Sequence, residues 1–196
     1  MVADSETLGP LLDLLRDLMD WFQTHQVNGV VVGGIAVSLL GRPRVTQDVD
    51  ALVQLEEVNW QDFLSQGKEY NFYPRISEPL TFARKSRVLL LSHQPSGVDL
   101  DITFTTLPFE EEIVSNPSTF KISGVRLQLP RPEDLIIMKA IAARPKDLID
   151  IESLIDANPN LEIERVKRIV HEFSEALDMP DLFDNLQKLL TKKRKK

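Results

Sequence analysis

Read for its apolar positions alone, the chain changes period several times. Leu8, Leu11, Leu12, Leu15, Leu18, Met19 and Phe22 recur every three or four residues, which predicts an amphipathic helix over Thr7–Gln26. Pro10 suits its first turn, and Asn28-Gly29 breaks it. Val30–Val32 is β-branched and wholly apolar, as in a buried strand; Gly33-Gly34 is a turn, and Ile35–Leu40 a short helix ended by Gly41 and Pro43. A second strand around Asp48–Val53 alternates, with Val49, Ala51 and Val53 on one face and Asp48 and Asp50 on the other. After a helix over Val58–Gln66, strands are expected at Arg87–His93 and Val98–Phe104, separated by a Gln-Pro-Ser-Gly turn. In VDLDITF the alternation returns: Asp99, Asp101 and Thr103 share one face, and Val98, Leu100, Ile102 and Phe104 the other. A short helix at Phe109–Val114 and a hairpin at Phe120–Leu129, turning at Ser123-Gly124, close the strand-bearing part.

Beyond Pro130 only helical periods remain, at about 132–143, 146–157, 162–177 and 181–192. The order predicts an α+β fold: a mixed α/β sheet with flanking helices over residues 1–130, and a helical C-terminal part over 131–196.

Composition narrows the class. The 196 residues are 42% hydrophobic and 27% charged, as in a globular protein with a real core. No apolar run approaches the roughly 20 residues of a membrane span, and no secretory signal pattern opens the sequence, so a cytoplasmic location is expected. The absence of cysteine removes disulfides, thiolate catalysis and Cys-based zinc sites. A net charge of −7 argues against a broad nucleic-acid surface, although the chain ends in KKRKK, which is a solvated tail or a contact to RNA or another polyanion.

The aspartates are therefore the chemistry to explain. Asp48, Asp50 and an aspartate of VDLDITF, converging on one sheet face, would repel each other or shift their pKa values unless a cation lay among them. A hard divalent ion, Mg²⁺ or Mn²⁺, is the natural partner for such oxygens; it could hold a nucleoside triphosphate and activate a hydroxyl. The glycine pair suits the same ligand, because a strand that turns through Gly33-Gly34 into a helix leaves N–H groups free for phosphate. Ser38 could add a hydroxyl or be an ordinary helix serine; Arg42, Arg44 and Thr46 lie on the way to Asp48, where a guanidinium could balance carboxylates or grip phosphate.

With these residues in view, the chain resembles the DNA polymerase β-type nucleotidyltransferase superfamily. The nearer likeness is to its small prokaryotic members, the abortive-infection toxin-like nucleotidyltransferases. Gly33-Gly34, then Arg44-x-Thr46-x-Asp48-x-Asp50, then a strand with a further aspartate carry the first part of the resemblance. Lys139-x₄-Arg144-x-Lys146-Asp147-x-x-Asp150 carries the second, and the two together span about Asn28–Leu154. The resemblance implies that Gly33 and Gly34 cradle a triphosphate and that Asp48 and Asp50 bind catalytic Mg²⁺. It implies a third carboxylate that helps deprotonate the acceptor. Asp99 is preferred, since similar proteins often read Val-Asp-Leu with Pro-Phe-Glu at about this distance; Asp101 has the same parity. Lys139 is placed like the family's nucleotide-contacting lysine, with Arg144 and Lys146 near it, although these residues with Asp147 and Asp150 equally suit a structural ion-pair network.

The implied reaction transfers an NMP from ATP or another NTP to a hydroxyl of tRNA or another RNA, a protein or a small molecule. A toxin role with an antitoxin partner is implied too. Gly-Gly stands where the minimal antitoxin members usually have Gly-Ser, however, and the helical part is shorter than in the large toxins. The alternative is a catalytically weak or inactive nucleotide-binding or interaction module. A dinucleotide-binding fold is disfavoured, because VVVGGIAVSLL lacks the G-x-G-x-x-G spacing. The remaining chemical residues have ordinary readings: His93 as a structural or rim residue, His25 and His171 on solvated helix faces, Glu110–Glu112 as a solvated helix start, and Phe72-Tyr73 in a loop, where base stacking is the reading to watch.

Overall fold

The computed structural model describes residues 5–193, with side chains described from Gly9 to Thr191. The basic run at the end of the chain lies outside the described side chains. Nine α-helices and seven strands are found among the described residues. They fall into two compact units: one runs to Ile35 and resumes over Thr46–Leu129, and the other holds Ala36–Val45 and the described residues from Pro130 on.

The first unit is built on a five-stranded sheet of order β1-β2-β5-β4-β3, with β1 Asn28–Val32, β2 Asp48–Gln54, β3 Phe72–Pro74, β4 Val88–His93 and β5 Val98–Phe104. Only β2 and β5 run parallel; the other neighbours are antiparallel. One sheet face is apolar: Val31, Val49, Ala51, Val53, Leu89, Leu91, Leu100, Ile102 and Phe104 are all buried. Rings from α1 (Ser5–Thr24) and α3 (Trp60–Gly67) pack beside it, Trp21 stacking on Phe63 at 4.2 Å and on Phe72 at 5.4 Å, and Trp60 on Phe104 at 4.1 Å. Leu14, Leu15, Leu18 and Trp21 are essentially inaccessible, so the buried stripe of α1 is turned toward Leu14 and Trp21, and away from Met19, relative to the expected one. The bulk of Trp21 decides that rotation, because the indole buries more apolar area than any competing side chain on the helix.

Two elements escape the periodicity. β3 is three residues long and ends in proline, and α4 (Pro79–Ser86) buries only Ala83. Phe72-Tyr73 is thus an edge strand and not a loop, and Phe72 is fully buried. This removes Phe72 as a platform for stacked bases. The glycine pair also differs from expectation: it forms the first two residues of α2 (Gly33–Leu40) rather than a turn before it. α5 (Pro108–Ser115) packs against β1 and β2, and the hairpin β6–β7 (Ser118–Ile122 and Val125–Leu129) packs against α1 and β1. Glu110 is no solvated helix start. Its carboxylate accepts the N–H groups of Thr106 and Leu107 and pairs with Arg87 at 2.8 Å, so it caps α5.

The second unit packs α6 (Pro132–Ala142), α7 (Pro145–Ala157), α8 (Ile163–Ala176) and α9 (Asp181–Lys193) around Leu135, Ile136, Ile151, Leu154, Val166, Val170, Leu182 and Leu186. No described helix is long and apolar enough to cross a membrane.

Candidate active site

The register of β2 with β5 places four carboxylates in a block. Asp48 lies opposite Asp99 and Asp50 opposite Asp101, so all four project from the same sheet face at the beginning of two parallel strands. Directly opposed carboxylates about 5 Å apart repel by roughly 1–3 kcal/mol between fully aqueous and surface dielectrics. Asp99 and Asp101 retain 42% and 35% of their side-chain exposure, which keeps the repulsion toward the lower end. Burial pushes the Asp101 carboxyl above its ordinary value; Arg75 pulls it down, and Asp48 and Asp99 push it up again.

The counter-charge comes from a residue with no sequence signal. The Arg75 guanidinium donates through Nη1 to Asp99 Oδ2 at 2.6 Å and through Nη2 to Asp101 Oδ1. It can do so because Pro74 pairs with Leu91 and the Arg75 N–H reaches the Leu90 carbonyl at 3.1 Å, while Leu90 in turn lies beside Asp101. The side chain spans β4 to reach β5. Nothing in NFYPRISEP announces this, since β3 itself is invisible to a period-2 reading.

Asp48 and Asp50 are held from the other side. The Thr46 hydroxyl donates to Asp48 Oδ1 at 3.0 Å. Gly33 has φ +63°, and a Cβ there would overlap the Asp50 carboxylate, with Asp50 Cγ at 2.6 Å. Both facts require glycine, one for the left-handed backbone and one for space. Gly33 and the buried Gly34 therefore open α2 against one of the four carboxylates.

The other expected site residues form a different kind of cluster in the second unit. Lys139, 5% exposed, pairs with Asp147 at 2.9 Å and with Asp150 at 3.0 Å. Arg144 pairs with Asp147 at 2.6 Å, and its backbone N–H is accepted by the same carboxylate, closing the N-terminus of α7. Arg44 pairs with Asp150 at 3.1 Å. Asp147 is pushed up by burial, but hydrogen bonds and charge from Arg144 and Lys139 outweigh this and hold its carboxyl below the usual range. Lys146 is exposed on the first turn of α7. The Ser38 hydroxyl donates to the Arg44 carbonyl at 3.0 Å. The Arg42 N–H is accepted by Ser153 Oγ at 2.6 Å, and its side chain pairs with Asp156 at 2.8 Å. These contacts pin the loop that follows α2 to α7.

The histidines are structural or idle. His93 is 1% exposed and bonds Ser96 Oγ at 2.7 Å and Asp17 Oδ2 at 3.0 Å. His171 is exposed beside Glu175. His25 departs from the solvated reading: it lies edge-on to Tyr70, and its buried Nε2 has no hydrogen-bond partner among the described residues.

As the side chains stand, no three Asp, Glu or His residues among those described are arranged to hold a metal ion. The donor set nevertheless suits a hard cation: four aspartates on one face supply oxygen ligands, with no sulfur or imidazole among the four.

A mixed sheet with such an acidic block beside a glycine helix start is the arrangement of a nucleotidyltransferase. The chain belongs to the family described as nucleotidyl transferase of unknown function (DUF2204), whose model matches residues 11–188. Solved structures share the fold at low identity. An antigenic nucleotidyltransferase-like protein from Paracoccidioides brasiliensis has a TM-score of 0.58 and 17% identity, covering 90% of this chain and 92% of that one. The antibiotic-resistance factor ANT(2'')-Ia has a TM-score of 0.58 and 13% identity, covering 86% and 93%. The lincosamide antibiotic adenylyltransferase LnuA, solved with lincomycin bound, has a TM-score of 0.52 and 15% identity, covering 74% and 96%. A search of proteins with curated function finds no match.

Proposed function

We propose that this nucleotidyltransferase transfers an NMP from an NTP to a hydroxyl of a small molecule. The observation that carries the reading is the block of Asp48, Asp50, Asp99 and Asp101 beside the Gly33-Gly34 helix start. Asp48, Asp50 and one β5 carboxylate would hold Mg²⁺, which when bound neutralises triphosphate charge and acidifies a hydroxyl. The Gly33 and Gly34 N–H groups receive phosphate oxygens, and Thr46 keeps the Asp48 carboxylate oriented. One of the two β5 carboxylates, Asp99 or Asp101, takes the acceptor proton, since both project from the same sheet face as Asp48 and Asp50. The acceptor oxygen then bonds to the α-phosphorus, the α–β bridging bond breaks, and pyrophosphate leaves. Lys139, Arg144 and Arg44 serve this reading as the frame of the loop before Asp48, not as nucleotide ligands.

Two considerations favour a small acceptor over RNA. The net charge is −7 and the Arg75 guanidinium beside the aspartates is already paired with two of them, so a polyanionic acceptor gains little attraction there. Two fold neighbours, ANT(2'')-Ia and LnuA, are solved with an adenylylated tobramycin and with lincomycin respectively. The second reading, a nucleotide-binding module without turnover, is favoured by Arg75, whose guanidinium bonds oxygens of Asp99 and Asp101 that a catalytic metal would use.

The test is pyrophosphate release and transfer of label from α-labelled NTPs, with Mg²⁺, to aminoglycoside, lincosamide, tRNA and cell-extract acceptors. Label on a small molecule that disappears in Asp48→Asn and Asp50→Asn supports the proposal. Label on RNA would overturn the acceptor class, and nucleotide binding without any transfer would favour the inactive module.

A further inference from the structure

Arg75 occupies the β5 half of the acidic block with both ends of its fork. A guanidinium that bonds Asp99 through one nitrogen and Asp101 through the other uses the oxygens that a metal would need. It is not an incidental surface pair. Its side chain is only 27% exposed, its backbone is hydrogen-bonded to Leu90, and its charge is the one paired with both of these carboxylates among the described residues.

We propose that Arg75 is a built-in counter-ion that a divalent cation must displace, so that metal binds well only with a nucleotide whose phosphates take over the guanidinium. The inference rests on the nucleotidyltransferase reading of the site. A metal arriving alone gains two carboxylates but leaves a half-buried guanidinium unpaired. A metal arriving with a polyphosphate supplies new oxygens to which a planar fork is suited. Arg75 lies immediately after an edge strand, in the Arg75–Glu78 segment that leads to α4, so its backbone is anchored on one side only. Without nucleotide the site stays neutralised by its own side chain, and metal and nucleotide binding become coupled.

The test compares wild type, Arg75→Gln and Arg75→Lys, each confirmed folded by its melting curve. Mn²⁺ binding is read by electron paramagnetic resonance without nucleotide, and binding of a non-hydrolysable NTP analogue by calorimetry with and without Mn²⁺. Arg75→Gln is expected to bind Mn²⁺ alone about tenfold more tightly than wild type and to lose a similar factor of metal–nucleotide coupling, with Arg75→Lys between. A purely structural Arg75 would change the melting temperature and leave both affinities as they were, which overturns the proposal. Mn²⁺ affinity equal in wild type and Arg75→Gln, but abolished by Asp48→Asn, overturns it while the metal site stands. Mn²⁺ affinity indifferent to Asp48→Asn and Asp50→Asn overturns the site reading and the proposal with it.

Discussion

The molecule contains two acidic clusters built from the same side chain and balanced in opposite ways. On the sheet, Asp48, Asp50, Asp99 and Asp101 lie side by side and stay partly open to solvent, with the Arg75 guanidinium bonded to the β5 pair. Between α6 and α7, Asp147 and Asp150 are buried and meet Lys139, Arg144 and Arg44. The first cluster has more anions than cations and the second more cations than anions. The Asp101 carboxyl moves up, chiefly through burial and with the neighbouring Asp48 and Asp99 adding to it, whereas hydrogen bonds and charge from Arg144 and Lys139 overcome burial and bring Asp147 down. Excess negative charge held open on a sheet is what a cationic ligand can repay; carboxylates each paired with cations inside a helix pair are what hold a frame.

The comparison breaks most visibly if its buried half is cut. Asp147→Ala leaves the Lys139 ammonium without one of its two carboxylates and opens the α7 N-terminus, and should cost about 3–5 kcal/mol in chemical denaturation. A loss under 1 kcal/mol would mean that the helix pair does not depend on this network.

The open half should behave the other way. Asp50→Asn removes a repelling charge, so stability should hold or rise while transfer falls by about a hundred- to a thousandfold, the few kcal/mol that metal stabilisation of the transition state supplies. Undiminished turnover in Asp50→Asn would end the catalytic reading of the block. Gly33→Ala forces a Cβ into the Asp50 carboxylate and into a left-handed backbone; the strain of about 1–2 kcal/mol should lower the melting temperature by a few degrees and weaken nucleotide binding.

The smallest effect is the pH dependence, read in metal-free protein by melting. A raised folded pKa favours the native state below the unfolded carboxylate value, and that contribution is lost as pH rises through the folded value. Asp101→Asn should therefore raise the melting temperature relative to wild type more at pH 7 than at pH 3.5. A lowered folded pKa works in reverse: the contribution of Asp147 is full above its unfolded value near 3.8 and is lost as pH falls through the folded value below that. Wild type should thus lose more stability than Asp147→Asn on acidification below about pH 4. Parallel curves for the two Asn variants would erase the contrast between the clusters.

Much of the sheet was legible because its central strands alternate cleanly. DVDALV and VDLDITF declare which residues share a face, and the parity of Asp99 and Asp101 follows from period 2 alone. The helices from α6 to α9 fell close to their expected spans for the same kind of reason, since each buries one apolar stripe. β3 and α4 stayed hidden. FYP is too short to show alternation, and PLTFARKS buries a single alanine, so their existence depends on the neighbouring β4. Lys139 shows the limit at the site: its spacing to Asp147 and Asp150 fits a ligand contact or an internal ion pair equally well, and only the packing of α6 on α7 buries the ammonium between both carboxylates.

By itself, then, the order of residues determined two aspartate pairs, each sharing one face of its strand, a glycine pair after a buried strand and a helical C-terminal part, because local period and steric freedom are properties of neighbours in the chain. The tertiary structure decided the register that sets Asp48 against Asp99 and Asp50 against Asp101, the close approach of Gly33 to Asp50, and the reach of Arg75 across β4. Those depend on which strands lie side by side, and charge balance is settled between residues that pairing, not sequence, makes adjacent.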